Sequence, residues 1–118
     1  MFNLFKPAYV QLQSSLAPAV AREYDEVLSS FIDHIPTYWS KGAQDRAITI
    51  VMAEWVMANA AAGRLPISGY LYSRAARFDE ICRMHNERDY AGHGGSSNAF
   101  ANDIIRALRE AEIIPMKD

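Results

Sequence analysis

Apolar and polar positions along this chain fall into helical periods separated by proline- and glycine-marked breaks. Val20, Tyr24, Val27, Leu28, Phe31 and Ile35 recur at steps of 4, 3, 1, 3 and 4, which places them on one face of a helix. Arg22, Glu23, Glu26, Ser29, Ser30 and Asp33 take the opposite side. Pro18 restarts the chain before this segment, because a proline inside a helix removes a hydrogen bond and clashes with the preceding turn. Pro36 closes it, since the residue before a proline avoids the helical region.

The stretch at 45–63, DRAITIVMAEWVMANAAAG, behaves differently. From Ala47 to Ala62 its one charge is Glu54. A helix that is apolar almost all round is normally wrapped by others, so this is the expected centre of the fold. Ser40 or Gly42 opens it, and Gly63 followed by Pro66 is a stop signal. Glu54 needs a partner such as an arginine if it is buried.

Further on, Ser68 is a candidate N-cap. Leu71, Ala75, Phe78, Cys82 and His85 recur at steps of 4, 3, 4 and 3, predicting a helix that ends near Asn86. ERDYAGHGGSS at 87–97 is irregular. Ser96, Ser97 or Asn98 then caps a last helix with Phe100, Ile104, Leu108 and Ala111 as its buried stripe, stopped by Pro115. At the start, 1–6 form a short apolar arm. Pro7 suits a first helical position, and a short helix is expected from Ala8 to Leu16. The single candidate strand, 67–72, has no partner to pair with. The pattern therefore predicts an all-α fold: one domain over 1–118, a compact bundle of four to five helices around a central apolar helix at about 43–62, with an N-terminal arm (1–6) and a frayed C-terminal tail (115–118).

Composition bounds this picture. The chain has 118 residues, half of them hydrophobic and 22% charged. A chain of that size buries about two-thirds of its unfolded surface, enough for one core. A net charge of −2 argues against a broadly basic nucleic-acid surface. The lone cysteine, Cys82, excludes an intramolecular disulfide and points to a reducing compartment. The N-terminus lacks the pattern of a secretory signal. The central apolar run, about 16 residues interrupted by Glu54, falls short of the roughly 20 a bilayer span needs. A cytoplasmic protein is expected.

Four constellations carry candidate chemistry. His93, Gly94, Gly95, Ser96 and Ser97 lead into a helix start, where free N–H groups and the positive end of the dipole favour an anion; a flexible turn with a serine cap explains the same residues. Cys82, His85 and His93, with Asp89, lie within one short stretch and suggest a metal site. A buried cysteine and a hydrogen-bonded histidine account for them equally well, and no cofactor is expected. Arg74, Arg77, Arg88 and Arg106 outline a basic surface on the 70–86 helix and the helix starting near 97, balanced by Asp79, Glu80, Glu87 and Asp89. Finally, Phe2, Phe5, Tyr38, Trp39, Tyr70 and Tyr72 exceed what a small helical core needs. Tyr and Trp are enriched at protein interfaces.

No motif fixes a reaction. The sequence points to a small cytoplasmic interaction or regulatory protein, of the character of a bacterial or phage-encoded regulator or inhibitor. It would bind another protein, with a homodimer as the commonest symmetric arrangement. The alternative is a helical DNA- or RNA-binding module using the arginines. A metal- or anion-dependent enzyme built on Cys82, His85 and His93 comes third.

Overall fold

The computed structural model describes residues 6–89 and 94–116, and the side chains of 6–86 and 97–116. It is all-helical: α1 (Ala8–Ser14), α2 (Pro18–Phe31), a 3-10 turn (Ile32–His34), α3 (Lys41–Ala62), α4 (Gly69–Asp89) and α5 (Gly94–Glu110). Among the described residues there is no strand.

The expected central helix is α3. Residues 47–53 are buried without interruption, nearly two full turns. No single stripe can do that, and α3 packs against all four other helices. Its ends follow the local chemistry. Ser40 accepts a hydrogen bond from the Ala43 N–H at 3.1 Å, satisfying one of the donors that a helix start leaves open. Gly63 closes the helix in the left-handed region at φ 65°. Gly63 N–H then reaches the Ala60 carbonyl and Arg64 N–H the Asn59 carbonyl, a Schellman closure.

The face predicted for α2 is the buried one: Val20, Tyr24, Val27, Leu28 and Phe31. Pro18 opens this helix at its first position, and Ile35 lies extended before Pro36. Tyr24 meets Trp55 edge-to-face at 5.8 Å, and its hydroxyl donates to the Tyr9 carbonyl at 2.6 Å. One buried phenol thus ties α1, α2 and α3 together. Burial and the neighbouring Tyr9 keep that hydroxyl protonated far above ordinary pH.

Four expectations need correction. α1 stops at Ser14, before Leu16. The helix expected to end near Asn86 continues to Asp89, because nothing in Glu87-Arg88-Asp89 breaks it and Asn86 is buried as a linking residue. α5 begins at Gly94, ahead of the expected serine or asparagine cap. Asn98 is spent on α4 instead, donating to the Arg83 carbonyl at 3.3 Å. The buried stripe of α5 is also turned by one position. Ala101, Ile105 and Leu108 are its core residues, Phe100 and Ile104 are half-buried, and Ala111 is exposed. The reason is that α5 packs on both α3 and α4 while Trp39 covers Phe100, so its apolar side is shared among several neighbours.

A chain of polar contacts pins α3, α4 and α5 together. Arg46 Nε donates to Asn86 Oδ1 at 2.7 Å, and Asn86 Nδ2 donates to Asn98 Oδ1 at 2.8 Å. Asn86 is fully buried, so this pairing offsets the cost of removing its amide from water.

Candidate functional site

At the other end of the α4–α5 pair, the first turn of α4 and the last turn of α5 leave a cleft of about 470 Å³ over α3. Met57, Ala58, Ala61 and Ala62 of α3 line it, together with Tyr72 of α4 and Pro115 and Met116 from the chain after α5. The alanines follow from the sequence: the last six residues of α3 read MANAAA, and small side chains leave space where larger ones would fill it. A second cleft of about 330 Å³ adjoins, lined by Arg83, Asn102, Ile105 and Arg106. Glu54, Arg109 and Met116 border both.

Charges line the shared wall. Arg109 on α5 donates to the Glu54 carboxylate on α3, with each side chain about one-fifth exposed, 18% and 19%. Arg109 Nε also donates to the Pro115 carbonyl at 3.4 Å, which fixes the chain after α5 against the cleft. Beyond them Arg83 Nε donates to both Asp79 oxygens at 3.1 and 3.2 Å, and its terminal nitrogen reaches Asn102 Oδ1 at 3.0 Å. Burial raises the Asp79 pKa, with the neighbouring Glu54 charge adding to it, against the opposing pull of Arg83. The site is a half-buried alternation of charges beside an apolar trough.

The sequence-predicted interface residues divide. Tyr38 is 87% exposed and Tyr70 is 72% exposed. Tyr72 stands at the cleft rim. Trp39 instead packs edge-to-face on Phe100 at 5.4 Å, covering the start of α5. Phe2 and Phe5 lie outside the described residues.

The candidate arginines are likewise dispersed. Arg74 reaches back to Ser15 and Gln11 at 3.3 and 3.2 Å and lies over the Phe78 ring, so it ties α1 to α4. Arg77 and Arg106 are exposed, beside Glu80 and Asp103 respectively. The side chain of Arg88 lies outside the described residues.

His93 lies outside them too. Gly94, Gly95 and Ser96 form the first turn of α5, and Ser97 is buried. Cys82 is buried while His85 points to solvent, so the two do not face one space. Among the described residues no three potential ligands gather around a metal position. Burial pushes the Cys82 thiol up to about 11, so it is protonated at neutral pH and a poor nucleophile.

Sequence reasoning did not find Met57, Met116 or Arg109 as site residues. Glu54 was the available signal, because a lone carboxylate in an apolar run demands a cation if it is buried. Its partner lies 55 residues away, beyond any local pattern. Comparison with family models, curated proteins and solved structures found no match. Among the described residues no helix is long and apolar enough to cross a membrane.

Proposed function

We propose that this is a small cytoplasmic interaction or regulatory protein that binds another protein through the cleft between α4 and α5. The observation that carries the reading is that the exposed Tyr72 and Met116 line one cleft together with the small side chains of Ala58, Ala61 and Ala62. Exposed Tyr and Met at the rim of a concave apolar surface are the composition of an interface. Helix-in-groove recognition uses such troughs, and the fitting partner is a short apolar helix with a polar flank to meet the Glu54–Arg109 and Asp79–Arg83 rows. A second copy of the chain is one candidate partner.

The test is capture of partners by the tagged protein, with and without nuclease, beside the variants Tyr72→Lys and Met116→Lys. Both positions are exposed, so helical circular dichroism should be unchanged while a stoichiometric, nuclease-resistant partner is lost. Sedimentation of the isolated protein reads self-association in the same pair. Retention of the partner by both variants removes this cleft from the reading. Recovery of nucleic acid with a steep salt dependence replaces it with the arginine-based alternative.

A further inference from the structure

α5 carries a second apolar stripe beside the one that enters the core. Its buried positions are Ser97, Ala101, Ile105 and Leu108. Phe100, Ile104, Ala107 and Ala111 recur next to them at steps of 4, 3 and 4, and at about 100° per residue they lie roughly a quarter-turn away. Ala111 keeps the helical register, since its N–H reaches the Ala107 carbonyl at 3.0 Å. α4 lies on the opposite flank, where Asn98 and Asn102 bond to Arg83. On the stripe itself Trp39 packs on Phe100, Ile104 is half-buried, and Ala107 and Ala111 are exposed.

Large side chains occupy one half of this stripe and small ones the other. The same stripe running the opposite way therefore fits it. Around a two-fold axis beside Ile105 and Arg106, Phe100 lies over the partner's Ala111 and Ile104 over the partner's Ala107. Bulk meets alanine at four places, and small side chains at a contact let two helices approach closely. A parallel copy in register would set Phe100 on Phe100 and leave alanine facing alanine across a gap.

The solvent edge of the stripe gives an independent sign. It reads Asp103, Arg106 and Glu110, all exposed, with Arg106 leaning on Asp103 at 3.0 Å. Two-fold symmetry makes each contact occur twice. The same reversal brings each Arg106 beside the partner's Asp103, so opposite charges meet on both sides of the axis. Antiparallel helices also set their dipoles in opposition, N-terminal end to C-terminal end.

We infer that this face of α5 binds a second copy of the chain, forming an antiparallel α5–α5 homodimer about a two-fold axis. The cleft lined by Tyr72 and Met116 adjoins α5 on its other flank, through Arg109, so the pairing stands or falls independently of the proposed partner site. A single helix pair buries less than a standard interface, which makes the association weak and concentration-dependent.

The experiment is sedimentation equilibrium of the full chain over a wide range of concentration, where a monomer–dimer equilibrium is expected. Ala107→Glu should weaken it about tenfold or more by placing an unpaired carboxylate in the contact. Its helical circular dichroism should be unchanged, because Ala107 is exposed in the single chain. Asp103→Arg and Arg106→Asp should each weaken self-association, since each sets like charges across the axis. An equimolar mixture of those two variants should recover the dimer to about the wild-type level, because arginine then meets aspartate at both places. Rescue in trans is a result that a purely intrachain role of either residue does not produce. A chain that stays monomeric at every concentration overturns the assignment. So does a dimer that Ala107→Glu leaves intact, or a mixture that associates no better than its components. A dimer lost in Tyr72→Lys and kept in Ala107→Glu would overturn it in favour of self-association through the α4–α5 cleft.

Discussion

Removing Glu54 tests whether the α3–α5 pair is a structural tie or a solvated surface contact. Both members keep about one-fifth of their exposure, 19% and 18%, and Arg109 has one other acceptor, the Pro115 carbonyl at 3.4 Å. Breaking a fully buried pair from one side costs about 3–5 kcal/mol, while exposed pairs are worth about 0–1 kcal/mol. Partial exposure places Glu54→Ala at about 2 kcal/mol, through the guanidinium left facing an apolar trough. For a chain of this length each kcal/mol moves the thermal midpoint by about 4 °C, so a drop of about 8 °C is expected. Arg109→Ala should cost slightly more, since it also releases the Pro115 carbonyl. The double variant should be less destabilised than the sum of the two, by about 1–2 kcal/mol, because it leaves no orphaned charge. Urea unfolding of the four proteins, followed by circular dichroism, gives the cycle. Repeating it in 0.5 M sodium chloride separates the mechanisms: a half-buried pair keeps its coupling, whereas the exposed Lys41–Asp45 pair loses its own to screening. Coupling below about 0.5 kcal/mol, or coupling that vanishes with salt, would refute the reasoning.

Three further outcomes are expected. Cys82 should resist a thiol-specific aromatic disulfide at pH 8 in the folded protein and react at once in denaturant, because burial pushes its thiol up to about 11; fast labelling of the native state would contradict this. Asp79 has its pKa raised by burial, so the folded state holds its proton more tightly than the unfolded one does. Stability should therefore fall as pH rises from the ordinary carboxylate value through the raised one. Asp79→Asn should flatten that part of the urea-midpoint profile, and an unchanged slope would assign it elsewhere. Tyr38→Ala should change stability by less than about 0.5 kcal/mol. Trp39→Ala should cost about 2 kcal/mol by uncovering Phe100, so the neighbours separate in a single melting experiment.

The sequence by itself determined the helical class, the wrapped central helix and most of its boundaries. These rest on local causes: period, proline stops, the Ser40 and Ser68 caps, and the left-handed Gly63. It also set the condition that Glu54, if buried, needs a cation. Only the tertiary structure decided that the cation is Arg109, that Trp39 is packing while Tyr38 is surface, and that His85 leaves the stripe of Cys82. It likewise rotated the buried face of α5 by one position. Each of these depends on which neighbour lies alongside, and two helices of the same period can meet at many rotations. The two clefts belong to the same category. One forms where MANAAA meets the open end of α4 and α5, the other beside it where α4 and α5 bring Arg83, Asn102 and Arg106 together. Concavity arises from how elements pack, and no residue pattern within one element encodes it.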